Sequence, residues 1–198
     1  MGLKAYFSTM LQQISLWLMK LWGFRFTGEF SHFPRRVMFV VIPHTSNWDF
    51  PLGVLTRSAL QLKLKFIAKD SLFHWPYGFI FRWLGGIPVD RSKHNNFVKA
   101  VGATLEKYDD LSIAIAPEGT RKRNDELKSG FYWIAVEAKM PLVLVKFDFG
   151  NKEVNFSAPM QPSGNYEEDL KIINQHFKGV RGYHPELGYL YQADQKNT

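Results

Sequence analysis

Short apolar runs alternating with helix-length segments constrain the fold of this chain more than any other feature. Runs rich in Val, Ile, Leu and Phe occupy residues 37–42, 64–68, 87–89, 111–116 and 142–149, and read as strands. Between them lie helical stretches at 49–60, 71–84, 95–108 and 129–139, the second interrupted near Pro76. In 95–108 the apolar Phe97, Val98, Val101 and Leu105 fall on one side. Gly150-Asn151 marks a turn before Val154 and Phe156, and a last helix is expected at 166–177. This alternation predicts an α/β fold with a largely parallel central sheet flanked by helices. The 198 residues suit a single core, and no repeat or linker composition divides them. The expected organisation is an N-terminal helical segment at 1–26 followed by one globular domain at 27–198.

Ahead of the first strand, Leu3, Phe7, Met10, Ile14, Trp17, Leu21 and Phe24 recur at alternating steps of four and three. That is the stripe of an amphipathic helix, widened by Leu11, Leu18 and Trp22, with Ala5, Ser8, Gln12 and Ser15 on a small, polar face. From Leu3 to Trp22 it would be about 30 Å long. Ser8, Thr9, Gln12, Gln13, Ser15 and Lys20 interrupt the apolar run that a transmembrane span needs. The segment also lacks the small-residue cleavage site of a signal peptide. Two readings stand: a helix of the core or of a dimer, and a helix lying in the membrane interface with Trp17 and Trp22 at headgroup depth.

Charge and composition narrow the partners. The net charge is +7, so an acidic partner such as anionic membrane or nucleic acid fits. The chain has no RRM-type aromatic motif and no zinc-finger spacing, which argues against nucleic acid. An aromatic share of 16% is high, and such rings favour interfaces and headgroup zones as well as cores. The absence of cysteine excludes disulfides, thiolate zinc sites and thiol nucleophiles.

In open α/β sheets ligands bind beyond the carboxyl ends of the strands. Three polar clusters sit there: His44-Thr45-Ser46-Asn47-Trp48-Asp49, Asp90-Arg91, and Glu118-Gly119-Thr120-Arg121. In the first, a histidine and a carboxylate five positions apart can form a hydrogen-bonded pair, and a neutral imidazole so held can take a proton from a hydroxyl. Ser46 or Asn47 suits an N-cap and Pro51 a first helical turn, which leaves Asp49 near the positive end of the helix dipole. Standing alone, the block equally fits a capping aspartate and a loop histidine. A metal site would need His74 or His94 as further ligands, and their spacing matches no known ligand pattern. In the third cluster, Gly119 lets backbone approach a ligand, and Arg121 offers a planar fork for phosphate oxygens, with Lys122 and Arg123 adding positive charge. Alone, that block also fits a solvated basic loop.

Taken in order, the blocks resemble those of the glycerolipid acyltransferases, the group containing 1-acylglycerol-3-phosphate acyltransferase. His44 and Asp49 match the family's His-x4-Asp block. Gly86-Ile87-Pro88-Val89-Asp90-Arg91 is similar to its Gly-x4-Arg block, Glu118-Gly119-Thr120-Arg121 to its Glu-Gly-Thr-Arg block, and Lys128-Ser129-Gly130 to the Lys-x-Gly that follows. The resemblance covers about 37–149 and, as an ordered set, is far more specific than any one block. Its fourth block usually carries two prolines in an apolar run; here Pro141 fits one and Leu144 replaces the other.

The resemblance implies a monotopic acyltransferase, peripheral to the cytoplasmic face of the inner membrane. The donor would be a fatty acyl thioester, acyl-CoA or acyl carrier protein, with no further cofactor and no metal. The acceptor would be a lysophospholipid, by default 1-acyl-sn-glycerol 3-phosphate, with a lyso-ornithine lipid as the alternative. His44 would be the base and Asp49 would fix its tautomer, with direct transfer rather than an acyl-enzyme. The chain also lacks the Gly-x-Ser-x-Gly elbow of serine hydrolases. Arg91, Gly119, Thr120 and Arg121 would hold the acceptor phosphate, with Glu118 positioning an arginine or the acceptor. Lys69, Gly86, Lys128 and Gly130 would complete the substrate-binding set. A catalytically inactive membrane or lipid binder is the alternative of a different class.

Overall fold

The computed structural model describes residues 3–89, 98, 105, 110–124 and 126–189. Its centre is a seven-stranded sheet in the order β1-β7-β6-β2-β5-β3-β4. The strands are β1 (Arg25–Gly28), β2 (Arg36–Ile42), β3 (Leu64–Lys69), β4 (Gly86–Val89), β5 (Leu111–Ile115), β6 (Leu142–Asp148) and β7 (Glu153–Phe156). Strands β2 to β6 run parallel; β7 pairs antiparallel with β6, and β1 joins parallel to β7. The helices are α1 (Leu3–Leu21), α2 (Asp49–Ala59), α3 (Gly78–Trp83), α4 (Gly130–Glu137) and α5 (Tyr166–Phe177). Of the expected helix at 95–108 only Val98 and Leu105 are described, both helical; the rest lies outside the described residues.

The central strands read as unbroken apolar runs because both faces of the sheet are covered. Side chains alternate along a strand. Met38, Val40 and Ile42 of β2 therefore join Leu142 and Leu144 of β6 in one core, filled by Phe131, Ile134, Ile173 and Phe177 of α4 and α5. Val37 and Phe39 join Val143, Val145 and Phe147 in the opposite core, against Met19 of α1 and Leu52 of α2. Two cores on one sheet explain why β2 and β6 have no polar face.

Two features differ from the sequence expectations. β1 was not expected: it is four residues long and carries Arg, Thr and Gly, so it has no alternation to read. It exists because β7 offers it an open edge, and it begins at Arg25, so the sheet starts before the expected domain boundary at 26/27. The predicted helix at 71–84 is instead a 3-10 turn (Asp70–Phe73) and the short α3, separated around Pro76 as expected.

Helix α1 settles which of its faces is inward. Gln12, Ser15 and Met19 face the body of the protein: Gln12 Nε2 donates to Ala59 O at 3.0 Å, and Ser58 Oγ of α2 donates to Leu11 O at 3.3 Å. Ser15 and Met19 are buried. Gln12 and Ser15 of the small, polar face therefore turn toward α2, Ser8 of that face is exposed, and Met10, Leu11, Ile14, Leu16, Trp17 and Leu21 point outward. Trp22 does not join them. It is half-buried, edge-on to Phe24, Trp48 and Phe149, so its expected place at headgroup depth is corrected.

Candidate active site

The turn 43–48 carries the chain from β2 into α2. His44 Nδ1 lies 3.0 Å from Asp49 Oδ2, and the same oxygen accepts from the Ser46 N–H at 2.9 Å. A carboxylate only accepts, so Nδ1 carries the imidazole proton and Nε2 keeps the lone pair. Nε2 has no partner among the described residues, and the ring is 27% exposed. Asp49 is buried and sits in the first turn of α2, where the helix dipole favours its charge. The expected cap is corrected. Trp48 is the N-cap and makes no side-chain cap bond; Ser46 Oγ instead accepts from the Trp48 N–H at 3.2 Å.

Strand β5 neighbours β2, and its C-terminal end delivers Glu118 beneath the histidine turn. Glu118 is 2% exposed. Its Oε2 accepts from the His44 backbone N–H, and its Oε1 accepts from the Tyr189 N–H at 3.3 Å. Both carboxylate oxygens thus hold backbone, which makes Glu118 a strut under the His44 turn, a role the sequence reading did not give it. Burial raises its pKa from the ordinary 4.5 to about 6, against the lowering effect of those two N–H donors.

The remaining predicted residues divide. Gly119 adopts a positive φ of 69°, and a Cβ there would lie 3.1 Å from Lys128 Nζ, so the lysine amine is held over this turn. The Lys128 N–H donates to Pro117 O at 3.1 Å, which fixes the same contact from the backbone side. Thr120 Oγ1 accepts from the Lys122 N–H at 3.1 Å, and Arg121 is exposed beside it. Gly130 opens α4 with free space around it. Gly86 is close-packed: a Cβ there would come within 2.8 Å of the Phe73 ring and the Phe81 carbonyl. Lys69 ends β3 in register with Val89 of β4, on the same sheet edge as His44 and Glu118. Asp90 and Arg91 lie outside the described residues. Among the described residues no three His, Asp or Glu side chains group to hold a metal ion.

Residues 181–189 belong to the site and were not anticipated. Thr45, buried, accepts through Oγ1 from the His184 N–H at 3.2 Å. Gly182 is required there, because a Cβ would meet Thr45 Oγ1 at 2.5 Å. Tyr183 stacks on Trp48, and Tyr189 reaches Glu118 through its N–H. Only the glycine leaves a local signal.

Residues 24–147 match the family model described as Acyltransferase. The chain belongs to the acyltransferase family. It is 29% identical over 121 residues to the 1-acyl-sn-glycerol-3-phosphate acyltransferase of Haemophilus influenzae, covering 58% of this chain and 49% of that one. It is 30% identical over 116 residues to 1-acyl-sn-glycerol-3-phosphate acyltransferase beta of Homo sapiens, covering 54% of this chain and 40% of that one. The match thus spans half or less of either curated relative. Among solved structures, the fold is similar to the 1-acyl-sn-glycerophosphate (LPA) acyltransferase PlsC from Thermotoga maritima. The TM-score is 0.57 at 19% identity, over 89% of this chain and 79% of that one. The likeness bears out the single α/β domain with its N-terminal helix. The His44–Asp49 pair and the Glu118 turn both fall inside the matched segment.

Proposed function

We propose that this chain transfers a fatty acyl group from a thioester, acyl-CoA or acyl carrier protein, to the free hydroxyl of a lysophospholipid. The first acceptor is 1-acyl-sn-glycerol 3-phosphate, giving phosphatidic acid. One observation carries the reading: a partly exposed imidazole whose Nδ1 is held at 3.0 Å by a buried carboxylate. That geometry leaves Nε2 to accept the acceptor's hydroxyl proton as the oxygen attacks the thioester carbonyl. Asp49 steadies the imidazolium, and Glu118 anchors the backbone beneath it. The thiolate leaves as the new ester forms, and the imidazolium returns its proton to it. Arg121 and Lys128, with Arg91, supply cationic groups for the acceptor phosphate.

The acceptor is a lipid, and α1 suits its delivery. Met10, Ile14, Trp17 and Leu21 of its apolar stripe face outward, Phe24 at the end of the stripe is buried, and no helix among the described residues is long and apolar enough to cross a membrane. We assign α1 to the bilayer interface, on the cytoplasmic face, with the +7 charge adding attraction to anionic lipid. The test is a panel of lysophosphatidic acid, other lysophospholipids and lyso-ornithine lipid, each offered acyl-CoA and acyl carrier protein thioesters. Phosphatidic acid as the fastest product supports the reading. A different fastest acceptor corrects the headgroup, and no turnover with any pair leaves a lipid binder.

A further inference from the structure

A second apolar surface stands apart from α1. Between Asp70 and Asp90 the chain carries no carboxylate side chain, and its rings divide sharply in two. Phe73 is buried, Phe81 packs on Phe73 and on Phe50 of α2, and Gly78 is pressed so closely on the Phe73 carbonyl that no Cβ would fit. Arg82 Nη1 donates to Phe73 O at 2.9 Å and pins the turn from the other end. On this fixed base Trp75 is 92% exposed and Trp83 81%, with Leu72, Tyr77, Phe79 and Ile80 exposed beside them. These rings are held outward by a built turn.

We propose that the segment 72–83 is a second lipid-insertion element, which docks on an anionic bilayer together with α1. This rests on the reading of α1 and of the acceptor given above. Three observations select a bilayer. Trp75, Tyr77 and Trp83 are half of the six exposed apolar side chains and include the two most exposed, and these rings favour the headgroup zone. Its one fully charged side chain is the exposed Arg82, which complements anionic lipid. The patch also leads toward α1 through ring contacts: the Phe81 and Phe50 centroids lie 5.7 Å apart, Phe50 lies on the same helix start as exposed Trp48, and Trp48 packs edge-on against the half-buried Trp22, centroids 5.8 Å apart, next to exposed Leu21. The band passes through the turn that carries His44 and Asp49. Docking at both ends would therefore hold the catalytic turn against the lipid surface and let an acceptor enter without leaving the leaflet.

The test uses the full chain, with vesicles of equal parts phosphatidylcholine and phosphatidylglycerol and no substrate, so it reads even if no acyl transfer is found. The combined Trp75→Ser, Phe79→Ser and Trp83→Ser variant should bind these vesicles on the order of 10- to 100-fold more weakly than wild type. Its thermal melt and its rate on detergent-dispersed lysolipid should be unchanged. Trp75→Phe and Trp83→Phe, which keep the rings, should each lose part of the fluorescence that brominated-chain vesicles quench. That measurement holds even if the combined variant fails to fold. Undiminished vesicle binding by the folded combined variant would overturn the proposal, as would unaltered quenching in both single variants. So would a wild-type dimer in sedimentation velocity that the combined variant abolishes while vesicle binding persists, since a second copy would then be the occupant.

Discussion

The carboxyl edge of the sheet and the outer face of α1 break opposite halves of the same sorting rule. At the edge, Asp49 and Glu118 are buried carboxylates. On α1, Trp17 is 62% exposed and Leu21 71%, while Gln12 and Ser15 face inward. Each departure is compensated differently. The buried carboxylates find partners within the protein, in His44, Ser46 and Tyr189, with Asp49 Oδ1 alone of their four oxygens left without one among the described residues. The exposed rings find nothing among the described residues to cover them. Carboxylates inside mark a place of chemistry; apolar groups outside mark a surface that is not meant for water.

That contrast breaks if the edge proves dispensable. His44→Ala should lower turnover by about 10²- to 10⁴-fold, the usual size of general-base assistance, with little change in the thermal melt. Asp49→Asn keeps the shape of the buried carboxylate and removes its charge; it should cost roughly 10²-fold or more, read as kcat at saturating acceptor. Arg121→Ala should raise the acceptor KM by about 10- to 100-fold and leave the thioester KM nearly unchanged. If only the thioester KM moves, the two ends of the site are reversed.

A smaller effect separates Glu118 from the groups around it. Its carboxyl holds a proton up to about pH 6 in the folded chain, against 4.5 ordinarily. The folded state therefore binds more protons between these values, and stability falls as pH rises through them. Wild type should lose about 2 kcal/mol relative to Glu118→Gln over that interval and nothing further above it, by urea titration. His176, pushed down to about 4 by burial, drives stability the other way with pH, and comparing the two proteins cancels it. Least costly is the outer face: Trp17→Ser with Leu21→Ser should weaken vesicle binding on the order of tenfold.

These two regions were unequally legible in the sequence. The His44–Asp49 turn could be read because its parts are close in the chain, where spacing and chemistry coincide. The apolar runs of β2 and β6 gave the sheet, and α5 falls where the last helix was expected, although which of its sides turns inward was not read. Helical periodicity in α1 gave two faces and no sign of which turns inward. That depends on α2, which approaches closely because Ser15 is small and Gln12 can reach Ala59. Glu118 was legible as a site residue but not as a strut, since its partners His44 and Tyr189 stand 74 and 71 positions away. That Gly86 also makes room for Phe73 was not legible, because only the folded chain supplies that contact.

One crossed measurement reaches the central claim: initial rates of wild type, His44→Ala and the Trp17→Ser, Leu21→Ser double variant, on one lysophospholipid offered both in vesicles and in detergent micelles. His44→Ala should lose rate equally in both forms. The double variant should lose rate in vesicles alone. A His44→Ala protein that turns over near the wild-type rate in either form would contradict the account, as would a folded double variant that loses as much in micelles as in vesicles.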